Sequence, residues 1–272
     1  MAAPHTIPCG IGLPQVFYDH PVDMELVKTF VKRAETLGFA SLWVQERIIG
    51  GVASLEPLNL LSYVAALTRN IRLGTAVLVA STRNPVMLAK EISTLDHLSN
   101  GRLIVGIGLG GRVEQYHLFG APAERRVRFF LDSLQVMQAL WTQDEARLRS
   151  DFWTLNGETM QPKPVQTPHP PLWLGGTHPN ALRRSVKYGD GWMGNGNSST
   201  DQFRAQVQII RQALAMYHRD PATFPIAKRV YIALDDNQER AERRMTAYFG
   251  QHYGRPERAS LVTVCGSAAR CI

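Results

Sequence analysis

The stretch "GRLIVGIGLGGR", residues 101–112, runs from an apolar strand into a glycine-rich turn. Gly106, Gly108 and Gly111 spell G-x-G-x-x-G, the spacing with which dinucleotide-binding folds cradle a pyrophosphate. That role makes three demands. The motif must follow the first strand of its unit, open directly into a helix, and be followed about 20 residues later by an acid at the end of the next strand. Here "RVEQYHLFGAP" (112–122) intervenes before the next helical pattern, and Asp132 falls inside that pattern. The remaining demand depends on where this strand stands in the chain.

Outward from the motif, short apolar strands alternate with amphipathic helices at intervals of roughly thirty residues. "GIGLP" (10–14) leads into a helix from about Asp23, with Val27, Phe30, Val31 and Ala34 on one face and Gly38 to end it. "FASLWV" (39–44) precedes a helix carrying Leu60, Leu61, Val64 and Leu67. "IRLGTAVLVA" (71–80) is third, its helix opened by Asn84-Pro85, with proline suited to the first helical position. "RLIVGIG" (102–108) is therefore the fourth strand, and its helix buries Phe130, Leu134, Met137 and Trp141. "PLWLGG" (171–176), "GWMG" (191–194) and "RVYIALDD" (229–236) continue the series. Their helices run from Asn180 to Tyr188, through Phe203, Val207, Ile210, Leu214 and Tyr217, and through Ala241, Met245 and Phe249.

Repeated βα units imply a parallel sheet, and seven in a chain of this length suit a (β/α)8 TIM barrel better than a doubly wound sheet. A fourth strand cannot carry the dinucleotide fingerprint, so its glycines gain another meaning. At the C-terminal end of a barrel strand they let a flat ligand approach the backbone, or they make a tight turn and nothing more. Residues 142–170 break the alternation, with "ARLRSDFWTLNGE" reading as a small hairpin and "MQPKPVQTPHPP" as a proline-rich excursion. They are expected as an insertion after the fourth unit. The closing "TVCGSAARCI" (263–272) reads as a helix start at Gly266-Ser267, so the eighth strand is expected to be missing from this chain.

Composition narrows the class. Hydrophobic residues make up 44% and charged residues 19%, and no apolar run approaches the ~20 residues that span a bilayer. The N-terminus lacks the organisation of a signal peptide. Cys9, Cys265 and Cys271 share no metal-ligand spacing and read as reduced thiols, so no metal is expected and the cytoplasm is the expected location. The net charge of +7 is spread along the chain rather than gathered in a stripe, which argues against nucleic acid and leaves a solvated surface or a polyanionic small molecule.

Three linked segments, "GRLIVGIGLGGRVEQYHLFG", "LDSLQVMQALWTQD" and "QPKPVQTPHPPLWLGGTHPNALRRSVKYGDGW", strongly resemble the luciferase-like monooxygenase superfamily, most closely its deazaflavin-dependent oxidoreductases. The resemblance runs from residue 10 to the C-terminus and implies one (β/α)8 barrel domain over 1–272. It also implies FMN or the 8-hydroxy-5-deazaflavin coenzyme F420 at the C-terminal ends of the strands, and a homodimer paired through helices as one state open to the chain. The family's third strand often bulges at a non-prolyl cis peptide that supports the flavin ring, and the matching residues are Ala76 and Val77; the alternative is an ordinary buried strand. Gly108, Leu109 and Gly110 match the strand end beside the ring. "LGGTHPNAL" matches the segment that holds the cofactor phosphate, where Gly175, Gly176 and Thr177 would offer N–H groups at a helix start. Thr177 or Asn180 could instead cap that helix.

The departures bear on the chemistry. Sugar-phosphate dehydrogenases of the deazaflavin branch end their second strand in an Asp-His pair, where this chain has Glu46-Arg47. The acid after their fourth strand falls on Gly111. Sugar-phosphate oxidation is therefore not expected, and Arg47, always charged, is no general base. Glu46 and Arg47 stand as the catalytic-face candidates, and Arg112, Glu114 and Tyr116 as substrate-facing ones, each equally readable as solvated loop. FMN-using luciferases carry an arginine where this chain has Leu109, which favours coenzyme F420 over FMN. The expectation is hydride transfer between F420 and a small organic substrate. The alternatives are an FMN-dependent monooxygenase and a non-catalytic flavin-binding relative.

Overall fold

The computed structural model describes residues 7–18, 21–111 and 113–271. They fall into two compact units that divide after Leu174.

In the first unit, β1 (Gly10–Gly12), β3 (Ser41–Val44), β5 (Arg72–Thr75), β7 (Leu103–Gly108) and β10 (Leu172–Gly175) lie parallel in that order. Two short strands, β2 (Val16–Phe17) and β4 (Ala53–Ser54), pair antiparallel beside them. Helix α1 (Met24–Thr36) buries Val27, Val31 and Ala34, is capped by the Asp23 side chain on the Leu26 amide at 2.9 Å, and ends before Gly38 at φ +78°. Helix α2 (Pro57–Leu67) starts at the Glu56 cap and α3 (Pro85–Leu98) at the Asn84 cap with Pro85 in the first turn. Helix α4 (Arg126–Thr142) buries the four apolar residues its pattern predicts, Phe130, Leu134, Met137 and Trp141. The third predicted strand is not continuous, because β5 stops at Thr75 and β6 (Leu78–Val79) resumes beside β7.

The hairpin read in residues 142–170 is present as β8 (Ala146–Arg149) paired antiparallel with β9 (Thr154–Glu158). The proline-rich run after it is strapped along α3. Ser93 donates to the Pro162 carbonyl at 2.6 Å, and the fully buried Asp96 accepts the Gln166 amide at 2.9 Å and its side chain at 2.7 Å.

In the second unit, α5 (Pro179–Tyr188) precedes β11 (Gly191–Gly194), which pairs parallel with β12 (Ile226–Lys228). Helix α6 (Thr200–Met216) packs Ile210, Ala213 and Leu214 around Trp192. The predicted seventh strand stands as β13 (Tyr231–Leu234), β12 lying just before the range expected for it, and α7 (Gln238–Tyr253) follows.

The expectation that the eighth strand is missing is corrected. Thr263–Gly266 forms β14, parallel to β13 in the register Tyr231↔Thr263 to Leu234↔Gly266. Four residues are too few to show an alternating pattern, and Gly266-Ser267 gives the stretch the look of a helix start. Among the described residues, strand and helix thus alternate eight times in chain order, the last helix being the short α9 (Ala268–Cys271).

Candidate active site

In parallel βα folds the strand ends carry the chemistry, and in the first unit the end of β5 departs most from a regular ladder. Gly74 of β5 pairs with Ile104 of β7, yet Leu78 of β6 pairs with Ile107. Four residues on one strand therefore face three on the other, a bulge of one residue. Within it the Ala76–Val77 peptide is cis, the geometry expected of it from the resemblance. The Ala76 amide donates to the Val44 carbonyl at 2.6 Å and Thr75 Oγ1 to the Gly106 carbonyl at 2.7 Å. Gly106 has a packing reason to be glycine, since a Cβ there would lie 1.8 Å from the Thr75 carbonyl oxygen. Ala76 and Val77 are half-buried between buried Thr75 and Leu78, so a peptide unit flanked by uncharged side chains is partly accessible.

Glu46, just past β3, secures the far side of the bulge. Its Oε2 accepts the Val79 amide, and its Oε1 accepts Arg83 Nε at 2.8 Å and Nη2 at 2.5 Å. The Glu46 side chain is 1% exposed and that of Arg83 15%. Burial pushes the Glu46 carboxyl above its ordinary range, against the pull of Arg83 and the Val79 amide. Arg83 also reaches Glu56 at 2.5 Å and Glu91 at 3.5 Å, so one guanidinium serves three carboxylates. Glu46 thus spends both oxygens on the protein itself. Next to it, Arg47 is half-buried, its stem alongside Gly50.

The turn after β7 is pinned through one atom. The Leu109 carbonyl accepts Ser81 Oγ at 3.1 Å and also the hydroxyl of Tyr116, which is buried in the 3-10 turn Val113–Phe119. Gly110, at φ +75°, lies against Val79, where a Cβ would meet Val79 Cγ1 at 2.5 Å. Gly108 pairs with Val79 in the register of β6 and β7. Leu109 is half-buried and Glu114 exposed, while Arg112 lies outside the described residues. Among the described residues the glycine motif is followed by the short 3-10 turn Val113–Phe119, and the α-helix α4 begins only at Arg126.

The structure therefore brings together Glu46, Ala76, Val77, Gly108, Leu109, Gly110 and Tyr116 around the bulge. Sequence reasoning missed the residues that hold them. Gln15, 2% exposed, donates to the Gln45 and Leu55 carbonyls at 2.7 Å and accepts the Gln45 amide at 2.8 Å. Trp43 and Trp173, both half-buried, stand with ring centroids 5.5 Å apart, and Trp43 lies where a Cβ on Gly74 would be 2.3 Å from its ring.

In the second unit, Gly175, Gly176 and Thr177 link β10 to α5. Gly176 is at φ +149°, and its carbonyl accepts Trp192 Nε1 at 2.9 Å. The cap of α5 is neither Thr177 nor Asn180 but His178, whose Nδ1 accepts the Asn180 amide at 3.2 Å. Asn180 accepts Arg183 instead, at 3.3 Å, and Thr177 is exposed at the helix start. Among the described residues no cluster of His, Cys, Asp and Glu could hold a metal, and no helix is long and apolar enough to cross a membrane.

Parallel strands crossed over by helices, with a half-buried bulge at one strand end, define a fold of the α/β class. The chain belongs to the luciferase-like monooxygenase family, whose model matches residues 4–263. It is 40% identical over 142 residues to an uncharacterized protein of Mycobacterium tuberculosis, an alignment spanning 52% of this chain and 50% of that one. It is 27% identical over 226 residues, 80% of this chain and 61% of the other, to the FMNH2-dependent dimethylsulfone monooxygenase of Pseudomonas putida. The chain thus spans half to about three-fifths of the length of these relatives. An F420-dependent secondary alcohol dehydrogenase, solved with an F420–acetone adduct, shares the fold at a TM-score of 0.83 and 18% identity, over 97% of this chain and 88% of that one. Both flavin and deazaflavin enzymes therefore stand among the relatives and structural neighbours.

Proposed function

We propose that this chain is an oxidoreductase that holds the ring of a deazaflavin, coenzyme F420, against the Ala76–Val77 peptide and transfers hydride to or from a small organic substrate. The observation that carries the reading is the half-buried bulge at residues 75–79, gripped by Val44, Gly106 and Glu46. A flat ring needs a flat, uncharged surface that does not move, and a peptide unit anchored on both sides supplies one. Gly108, Leu109 and Gly110 would border it. When bound, the coenzyme supplies the hydride chemistry, and the protein supplies binding and orientation. Within the second unit by itself, Gly175, Gly176 and Thr177 are proposed as an anion-binding segment, because backbone N–H groups at the start of α5 suit an anion.

Leu109, where the resemblance to FMN-using luciferases implies an arginine, and the net charge of +7 support the deazaflavin, whose tail carries a phosphate and several carboxylates. Arg47 is assigned to an anionic group of substrate or cofactor. The Pseudomonas relative, an FMNH2-dependent enzyme by name, favours a second reading, an FMN-dependent monooxygenase.

Anaerobic titration of the protein with F420 and with FMN, each oxidised and reduced, separates the readings by absorbance and fluorescence. The first predicts micromolar F420 binding and no oxygen uptake. Binding of reduced FMN with oxygen uptake establishes the second reading, and binding of neither coenzyme overturns both.

A further inference from the structure

We infer that Glu46, clamped by Arg83, is the positioning residue of the ring platform: it holds the bulge at residues 75–79 in place rather than exchanging protons with substrate. This assignment rests on the reading above that the Ala76–Val77 peptide carries the ring.

The argument runs from valence. A carboxylate has room for several donors, and Glu46 receives three N–H groups, two from Arg83 and one from Val79. An acid or base acting on substrate must present an oxygen to it, but this side chain is 1% exposed. The three contacts join segments distant in sequence: the end of β3, the first residues after the bulge, and the start of the turn into α3. Val79 lies two residues after Val77, and its side chain is the surface against which Gly110 packs. Displacing the Val79 amide therefore disturbs both borders of the platform, the bulge and the turn after β7. Arg83 makes the arrangement tenable, because a buried carboxylate without a counter-charge would be expelled or protonated. Glu56 and Glu91 hold Arg83 from its other side.

The test uses Glu46→Gln, which keeps the shape but loses the charge, and Arg83→Lys, which keeps the charge but loses the paired N–H groups. Glu25→Gln is the control, since it removes a carboxylate from an exposed ion pair with Lys28 that touches neither Arg83 nor the bulge. Each variant is titrated with oxidised F420 and with FMN, and amide exchange is followed over residues 75–83. Both test variants are expected to bind the coenzyme about tenfold more weakly or worse, the cost of one charge-assisted hydrogen bond. Exchange at Val79 should quicken while exchange across the β8–β9 hairpin stays as in the wild type. That second readout shows that the fold survives and that the loss is local. Glu25→Gln should bind within about twofold of wild type, well under the effect of one lost hydrogen bond.

Three results decide the matter against the assignment. Unchanged binding and unchanged exchange in Glu46→Gln overturn it alone, with the functional reading intact. Unchanged binding with a collapsed kcat and a lost limb of the pH–rate profile would make Glu46 an acid or base instead. A wild-type protein that binds neither coenzyme removes the functional reading and this assignment with it.

Discussion

Gly106→Ala probes the contact on which the bulge is built. A Cβ at this position would lie 1.8 Å from the Thr75 carbonyl oxygen and 2.9 Å from its carbonyl carbon. Carbon–oxygen contacts settle at about 3.3–3.6 Å, so the bulge and β7 must part by roughly 1.5 Å. The atoms that must move are main chain, and no rotamer change can absorb the shift. Overpacking of this kind costs about 1–3 kcal/mol, and loss of the 2.7 Å bond from Thr75 Oγ1 to the Gly106 carbonyl adds about 1 kcal/mol. Against this, replacing glycine stabilises by only about 0.4–1 kcal/mol through the unfolded chain. The balance is a loss of about 2–3 kcal/mol, or roughly 3–5 °C in Tm for a protein of this size. Gly111→Ala is the matched control from the same motif. Nothing lies within 4 Å of a Cβ there, so its Tm should stay within a degree or two of wild type. Thermal melts of the two variants, with amide exchange over residues 73–79, make the comparison. Equal melting of the two variants would refute the packing argument.

Asp96→Ala takes the acceptor from the Gln166 amide and leaves its side chain only the Leu103 carbonyl, and should cost about 2–3 kcal/mol in urea denaturation, with faster exchange along residues 161–168. Trp192→Phe keeps an aromatic ring beside Phe203 but removes the donor to the Gly176 carbonyl. It should cost about 1–2 kcal/mol and loosen the turn that leads into α5, read by denaturation and exchange. In acid, Asp235 should report by itself. Two hydrogen bonds from Arg240, at 2.5 and 2.6 Å, together with the Asn237 amide hold its carboxyl down to about 2. Its contribution to stability is therefore complete above the unfolded value of about 4 and is lost as pH falls toward 2. The Tm gap between wild type and Asp235→Asn should be constant above pH ~5 and close between about 4 and 2. A gap that stays open at the acid end would contradict this sign.

What could be read from the sequence was whatever is decided within a few residues. The helix starts at about Asp23 and after Asn84-Pro85, the stop at Gly38 and the buried stripe of α4 follow from neighbours a few positions apart, and all stand in the structure. The cis peptide at Ala76–Val77 was legible only through resemblance, since no local pattern marks it. Features that depend on partners distant in the chain were not legible. Glu46 meets Arg83 across 37 positions, and Gln15 reaches Gln45 across 30, so each reads locally as one more polar loop residue. The strand β14 was missed because four half-polar residues beside a glycine carry no periodicity, and the ladder to β13 alone makes them a strand.

The motif that opens the sequence shows why spacing alone misleads. A dinucleotide fold would give its three glycines one purpose, room for a pyrophosphate. Here each answers to a different neighbour. Gly106 yields to the Thr75 carbonyl, Gly108 stands in register with Val79, and Gly111 borders open space. The fourth glycine, Gly110, falls outside the motif yet is the one with a positive φ and a side chain pressed against it. Gly106 and Gly110 are thus held to glycine by residues 75–79, and Gly108 pairs with the same segment, about thirty positions earlier and outside the motif. The G-x-G-x-x-G pattern is a by-product of fitting β7 against a bulged neighbour. What it marks is the bulge and the carboxylate that holds it, and the glycines record where that neighbour sits.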